Sequence, residues 1–492
     1  MALNTVVQLG GKVVTTALSL VMVAALTRYL GVSAFGVYTT AFVYVAFLAV
    51  LADFGFFWIM IREIAHLDVQ KEYERVVNNV LTLRTFLGIG VLGVGSAIAL
   101  LIPQYGHDVR VGIFLVAIAS LASALNATLV GVFQNKLRMD KAVITDIIGR
   151  TVTLALTLWF IAQGAPITTI FASYIGGTWL NLVLSYFLAQ QYVRVRPAFE
   201  FAVWHRIYSE AFPMGVAMIL HIVYYRIDSI LLSLMKGVAD VGIYGVPYKI
   251  LDVIMTLPVM FLGNVFPMLT RLLVEKSPAV PGVLQRSFDA LLTIALPLTV
   301  GGILMAEPII RLVGGEAFVH ATTLAPFLGQ PATAVLALQI LLISAGISFV
   351  SNLFGYTLIA LGLQRQLIRP YATFMVVNVL INLWLIPRFS YIGAAIGTTL
   401  TEIVVVVYFG YLACKATNVV PNLRLAGRIA LATAVMGAFL TLVDLSLWWE
   451  LTLAIAIYGA AAWGFGVVTP ELLRELVRAK SQEARVKKGI NE

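Results

Sequence analysis

The feature that most constrains this chain is the recurrence of apolar stretches of roughly 20 residues, the length that a helix needs to cross a ~30 Å hydrocarbon core. Of the 492 residues, 12% are charged, and the mean hydropathy is +0.95. An ordinary soluble domain carries about 25% charged residues. The sequence therefore predicts an all-α polytopic membrane protein. About fourteen spans are predicted, near 5–27, 36–61, 79–102, 109–130, 144–163, 168–190, 210–234, 243–265, 286–306, 332–361, 366–386, 390–413, 425–444 and 449–468.

The positive charges fall mainly in one set of loops. If the N-terminus is inside, 25 Lys and Arg residues are assigned to the even-numbered gaps, their flanks and the C-terminal tail, and 5 to the odd-numbered gaps and their flanks. Arg84 and Arg150 are counted with the gaps, although they lie within the predicted bounds of spans three and five. Cytoplasmic loops carry such an excess, so both termini are predicted to be cytoplasmic, with the protein in the cytoplasmic membrane. The same asymmetry explains the net charge of +9 without a nucleic-acid partner, for which no binding motif is present.

A similarity between two segments of the sequence predicts two related halves. Residues 31–38 (GVSAFGVY) and 237–244 (GVADVGIY) share Gly, Val, Gly and Tyr at an offset of 206 positions, in corresponding loops. This favours two pseudo-symmetric six-helix lobes followed by two extra helices. The predicted divisions are an N-lobe at 1–190 (spans one to six), a cytoplasmic linker at 191–209, a C-lobe at 210–413 (spans seven to twelve), spans thirteen and fourteen at 414–469, and a cytoplasmic amphipathic tail at 470–492.

A polar stripe runs along the first span. Asn4, Gln8, Lys12, Thr15 and Ser19 follow at spacings of 4, 4, 3 and 4, which places them on one face of a helix. A cation within a span normally faces a cavity or a partner, so the stripe predicts a cavity wall. The alternative is that Lys12 snorkels to the cytoplasmic surface, about 10 Å away.

Two more cations lie within predicted spans. Arg226 is near the middle of span seven, where it predicts a partner on another helix or a ligand, and Asp228 lies on a different face. Lys249 precedes Asp252 by three positions on span eight, so the two could simply neutralise each other. If the three cations share one cavity, they suit a phosphate or pyrophosphate group. The predicted substrate-binding residues are Lys12, Arg226, Lys249, Gln8, Asn4, Thr15, Asp228 and Asp252.

The second half contains a separate polar set. Asn378 and Asn382 share a face of span eleven, and Glu402 lies in the middle of span twelve. Together they could bind a cation or carry a proton, and interhelical hydrogen bonding is the alternative. The candidates for a coupling-ion site are Glu402, Asn378, Asn382 and Asp53.

Enzymatic chemistry and cofactors are not expected. Gly10-Gly11-Lys12 lacks the upstream Gly and the following Ser or Thr of a phosphate-binding loop, and no catalytic triad or carboxylate pair stands out. Cys414 is the only cysteine, and no Cys/His cluster predicts a metal site.

Several short motifs resemble those of the polysaccharide and oligosaccharide (lipid-linked glycan) flippases of the multidrug/oligosaccharidyl-lipid/polysaccharide exporter superfamily. The resemblance implies two six-helix lobes around a central cavity, alternating access, and movement of a polyprenyl-(pyro)phosphate-linked glycan precursor from the inner to the outer leaflet. It also implies cavity cations that engage the lipid phosphates, and membrane lipids and glycan-assembly enzymes as partners. The motifs are Thr27-Arg28-Tyr29-Leu30-Gly31, Phe35-Gly36-Val37-Tyr38, Leu51-Ala52-Asp53-Phe54-Gly55, Ile61-Arg62-Glu63-Ile64-Ala65, Tyr225-Arg226-Ile227-Asp228 and Val241-Gly242-Ile243-Tyr244.

Three other functions are weighed against this one. A cation-coupled multidrug exporter of the same superfamily would use buried carboxylates such as Asp53, Asp228, Asp252 and Glu402. A non-transporting membrane scaffold would need none of these groups. A glycan polymerase would be expected to have a large periplasmic loop, and the longest outer gap, Glu307 to Pro331, is short.

Overall fold

The computed structural model describes residues 2–67 and 69–467, apart from the side chains of residues 2–6, 9, 217, 221, 364 and 365. Regular structure in the described ranges is helical, which confirms the predicted all-α class. The helices are α1 Ala2–Asp53, α2 Phe56–Ile64, α3 Gln70–Leu100, α4 His107–Asn135, α5 Met139–Ala162, α6 Ile167–Ala189, α7 Phe201–Met235, α8 Val238–Ile254, α9 Thr256–Val274, α10 Val280–Leu304, α11 Ala306–Gly314, α12 Glu316–His320, α13 Ala334–Ala360, α14 Gln364–Thr417, α15 Arg424–Leu442 and α16 Leu447–Gly464. The predicted tail at 470–492 lies outside the described residues.

The two longest helices each contain two predicted spans. Within the described residues, 10 helical stretches are long and apolar enough to cross a membrane, or 11 with the bent α7. This is consistent with about fourteen crossings, because α1 and α14 each contain a break between two predicted spans. The break in α1 is Gly31, at φ 67°, a conformation that glycine adopts without steric cost. The break in α14 is Ser390, whose hydroxyl donates to Asp240 Oδ1 at 2.7 Å.

The chain forms two compact units. The first comprises Met1–Ile250, Ile310–Ala337 and Gln366–Thr401. The second comprises Leu251–Ile309, Leu338–Arg365 and Glu402–Glu492, of which residues up to 467 are described. Within the second unit, Tyr458 Oη donates to the Thr293 carbonyl at 2.7 Å, which ties α16 to α10. The predicted lobes at 1–190 and 210–413 stay predictions.

The two similar segments, residues 31–38 and 237–244, pack against each other within the first unit. A Cβ atom on Gly36 would lie 1.7 Å from the Val238 carbonyl oxygen, and one on Gly242 would lie 2.2 Å from the Val32 carbonyl oxygen. Gly36 thus faces Val238, and Gly242 faces Val32. Val32 and Val238 are equivalent positions of the two segments, each four residues before the glycine of its own segment. Only glycine permits so close an approach of two backbones. The two segments that are similar in sequence therefore also make equivalent packing contacts with each other.

The segment between α6 and α7, which we call the strap (residues 190–200), is bound to α3 by hydrogen bonds between its backbone and side chains of α3. Asn78 Nδ2 donates to the Arg194 carbonyl at 3.0 Å, and its Oδ1 accepts from the Arg196 amide at 3.1 Å. Side chains of α3 thus satisfy backbone groups that have no sheet or helix partner. The rest of the predicted linker is helical, since α7 begins at Phe201.

The last residue of the strap is tied to α3 by charge. Arg75 donates to Glu200 at 2.5 to 3.0 Å, and the Glu200 amide donates to Asn79 Oδ1 at 3.0 Å. The hydrogen bonds from Arg75, supported by one from Asn79, hold the pKa of the Glu200 carboxyl below its ordinary value.

Candidate functional site

The polar face of α1 borders a cavity of about 550 Å³, which we call the Lys12 cavity. Lys12 and Gln8 are exposed on its wall, and the buried Thr15 donates from Oγ1 to the Lys12 carbonyl at 3.1 Å. The structure thus brings three of the predicted binding residues to one cavity. The side chain of Asn4 lies outside the described residues. The far end of α1 contributes Asp53 to the wall, and other helices of the first unit contribute Trp58, Asn126, Val130, Asp146 and Met218.

Asn126 is a wall residue that the sequence did not single out. Its side chain is 9% exposed, and its Oδ1 atom has no hydrogen-bond partner among the described residues. A buried acceptor without a partner costs free energy until a donor reaches it. A bound ligand or water in the cavity could supply that donor.

Asp53, predicted as a coupling-ion candidate, forms an ion pair with Arg84 of α3. The Arg84 side chain is 2% exposed and also donates to Thr128 Oγ1 at 3.1 Å. The assignment of Arg84 to a loop is therefore wrong. Its position is inside a membrane-crossing helix, where the carboxylate of Asp53 offsets the cost of burying the guanidinium.

A second cavity, of about 290 Å³, adjoins the first, and we call it the Arg150 cavity. The two walls share Ser123 and Asp146. Arg150 Nε lies 3.1 Å from both Asp146 carboxylate oxygens, and its Nη1 donates to Ser19 Oγ at 3.1 Å. The predicted cation Lys249 is half-buried on the same wall.

Arg150 was also assigned to a loop, and that assignment is wrong. It lies in the middle of α5, Met139–Ala162, four residues after Asp146. An Asp and an Arg at this spacing face the same side of a helix and pair with each other. Such a pair inside an apolar segment was the available signal, and it indicates a polar cavity rather than a helix end.

Aromatic rings and hydroxyl groups form another part of the Arg150 cavity wall. The Tyr38 and Tyr174 hydroxyl oxygens lie 2.6 Å apart, and the Phe42 and Tyr174 ring centroids lie 4.7 Å apart. Thr178 completes this wall, with its hydroxyl donating to the Tyr174 carbonyl at 2.7 Å. The cavity therefore offers an apolar surface beside polar groups.

Arg226 does not belong to the described wall of either cavity. Its guanidinium lies over the rings of Tyr225 and Tyr248, at 5.2 and 4.9 Å from their centroids. The neighbouring Asp228 is buried and accepts from Tyr244 Oη at 2.6 Å and from Thr398 Oγ1 at 3.1 Å. Asp228 thus links α7, α8 and α14.

The polar residues of α14 are engaged in local hydrogen bonds. Asn378 Nδ2 donates to Thr401 Oγ1 at 2.9 Å, and Asn382 Nδ2 donates to Asn378 Oδ1 at 3.0 Å. Glu402 Oε2 accepts from Ser351 Oγ at 3.1 Å in the second unit. A coupling-ion site at these residues stays a prediction, as does the pairing of Lys249 with Asp252.

Comparison with known proteins identifies the family of this chain. Residues 1–273 match a family described as polysaccharide biosynthesis protein. A probable flippase, AglR of Haloferax volcanii, is 29% identical over 179 residues, which are 36% of this chain and 35% of that protein. The chain thus aligns with about a third of that relative's length.

Solved structures share the fold. The lipid II flippase MurJ in an inward closed conformation superposes with a TM-score of 0.76 at 14% identity, covering 97% of this chain and 100% of MurJ. An inward-facing multidrug transporter of the MATE family gives 0.61 at 14% identity, covering 82% and 95%. The fold is that of a multi-pass membrane transporter. The chain belongs to the polysaccharide biosynthesis protein family, and the resemblance predicted from its motifs is confirmed.

Proposed function

We propose that this protein moves a polyprenyl-(pyro)phosphate-linked oligosaccharide or polysaccharide precursor from the inner to the outer leaflet of the cytoplasmic membrane by alternating access. The observation that carries the proposal is the placement of Lys12 on a cavity of about 550 Å³, in a member of the polysaccharide biosynthesis family. A compact ammonium group beside a cavity suits a phosphate. The two flippases among the compared proteins, AglR and MurJ, support the same activity.

The second cation supports a path for the head group. Lys249 lies on the Arg150 cavity, which shares two wall residues with the Lys12 cavity. A phosphate leaving Lys12 would meet a further ammonium group nearby. Arg226, held over two tyrosine rings, is proposed as the third cation of this path. Gln8 and Thr15 would support Lys12.

A multidrug exporter for cationic compounds has less support. Such a protein needs carboxylates that are available to a cationic ligand. The two acidic residues on the Lys12 cavity wall, Asp53 and Asp146, are already paired with Arg84 and Arg150. Asp228 is surrounded by hydroxyl donors and is proposed to hold helices together rather than to bind substrate.

The proposal is tested with purified protein in liposomes that contain a fluorescent polyprenyl-diphosphate-linked disaccharide. Dithionite quenching reports how fast the probe changes leaflet. Lys12→Ala should slow this step about tenfold or more, because a charge-assisted contact is lost. The matched control is Lys71→Ala, which removes an exposed lysine at the start of α3 and should leave the rate unchanged.

Two outcomes contradict the proposal. One is a wild-type rate no greater than that of empty liposomes, combined with export of a cationic dye. The other is a normal rate in the Lys12→Ala protein. We also propose that Glu402 couples the step to a proton or sodium gradient. In the same assay, a rate that responds to the gradient equally in wild type and Glu402→Gln would refute this coupling role.

A further inference from the structure

The Arg150 cavity contains charged groups that also form hydrogen bonds, and these bonds hold them in a fixed arrangement. Arg150 is held by Asp146 on one side and Ser19 on the other, through Nε and Nη1. These contacts leave Nη2 as a donor beside two carboxylate oxygens that retain acceptor capacity. Both side chains are accessible, with 48% of Arg150 and 40% of Asp146 exposed. A donor and an acceptor are thus presented side by side.

We propose that the Arg150 cavity is the subsite for the sugar ring nearest to the phosphate of the lipid-linked glycan, an inference that rests on the proposed function. A sugar hydroxyl both donates and accepts, and therefore matches a fixed Arg and Asp pair better than a purely cationic site does. Asp146 already neutralises Arg150, whereas Lys12 forms no ion pair with a described residue, so a phosphate dianion gains more at Lys12. The phosphate is accordingly assigned to Lys12 in the adjoining cavity, and the sugar to Arg150.

The remaining walls suit the less polar face of a sugar ring. Phe42 and Tyr174 provide aromatic surface, while the paired Tyr38 and Tyr174 hydroxyl groups provide a polar rim. Few polar groups on a mostly apolar lining are typical of small-molecule sites. Aromatic surface would add nothing to the recognition of a bare phosphate.

The volume limits how much of the glycan enters. At about 290 Å³ the cavity lies at the lower end of the range of roughly 300–1,000 Å³ for small-molecule sites. One ring therefore fits better than an oligosaccharide. Because the two cavities share Ser123 and Asp146, a ligand whose phosphate is at Lys12 can place its first ring against Asp146.

The test compares two probes on the full-length protein in nanodiscs. One is polyprenyl phosphate, and the other is polyprenyl phosphate bearing a single hexose or N-acetylhexosamine. Wild-type protein should bind the sugar-bearing probe about tenfold or more tightly, from hydrogen bonds to charged groups. Asp146→Asn and Ser19→Ala should each reduce this ratio, and neither should weaken the binding of polyprenyl phosphate. Lys12→Ala should weaken both probes alike.

The control variant is Asp140→Asn. Asp140 lies in the first turn of α5 and pairs with Arg138, which precedes that helix. Asp140 is not on the wall of either cavity, so the ratio should stay at the wild-type value. Equal affinity of wild type for the two probes would overturn the sugar subsite and leave the flippase proposal standing. So would an unchanged ratio in Asp146→Asn, or an equal loss for both probes. Wild-type protein that binds neither probe would overturn both proposals.

Discussion

Two Arg and Asp pairs each place their Asp on the wall of the Lys12 cavity, and the pairs differ in how deeply they are buried. In the first, Arg84 is 2% exposed and Asp53 is 20% exposed. In the second, Arg150 and Asp146 are 48% and 40% exposed. A buried pair is held by mutual neutralisation, and removing one partner leaves an uncompensated charge. An accessible pair contributes little to stability and is free to meet a ligand. The comparison assigns a structural role to the first pair and a binding role to the second.

The largest expected effect comes from breaking the buried pair. Asp53→Asn should lower the free energy of unfolding by about 3–5 kcal/mol, because Arg84 would remain buried without its countercharge. The matched change in the accessible pair, Asp146→Asn, should lower it by less than about 1 kcal/mol. The measurement is SDS-induced unfolding in mixed micelles at neutral pH. Similar losses in the two variants would remove the distinction between the pairs.

A smaller effect is expected where α5 and α6 support the accessible pair. A Cβ atom on Gly177 would lie 1.8 Å from Thr153 Oγ1 and 2.5 Å from the Gly149 carbonyl oxygen, so Gly177→Ala forces the helices apart. Overpacking of this kind costs about 1–3 kcal/mol. Unfolding in the same micelles should show this loss. Gly176→Ala is the control, since its Cβ would meet only the flexible end of Leu156.

The Gly177→Ala result also bears on the comparison between the buried and the accessible Arg and Asp pairs. The Arg150 pair depends on helix packing more than on its own charges, so Gly177→Ala should destabilise the protein more than Asp146→Asn does. If Asp146→Asn were the more damaging change, the Arg150 pair would have to be regarded as structural.

The sequence predicts the helices and the Lys12 stripe well because both depend on local periodicity. Lys12 could be found because its polar neighbours recur on one helical face. Arg84 could not be placed, because its partner Asp53 lies 31 positions away on another helix and only tertiary packing joins them. Arg150 was missed for a different reason. A charge in an apolar segment was read as the end of a span, although Asp146 one turn earlier already balanced it.

The smallest expected effect concerns a third pair, Arg75 and Glu200 at the strap, which is 43% and 39% exposed. The pKa of Glu200 is held below its ordinary value by Arg75, so the pair stabilises the strap above the unfolded pKa of about 4.3. That contribution is lost as the pH falls through the lower, folded pKa. Amide hydrogen exchange, corrected for intrinsic rates, should therefore show weaker protection of residues 191–200 at acidic than at neutral pH. Glu200→Gln should reduce this difference. The remainder is expected from Glu74, which accepts from the Arg194 amide and whose pKa is lowered chiefly by a hydrogen bond from Gln70. Glu275→Gln, which removes an accessible pair with Arg271 in the other unit, should preserve the difference. An unchanged pH dependence in Glu200→Gln would mean that another carboxylate, such as Glu74, causes it, and that the Arg75 and Glu200 pair does not hold the strap. Accessible ion pairs in this protein would then matter only where a ligand meets them.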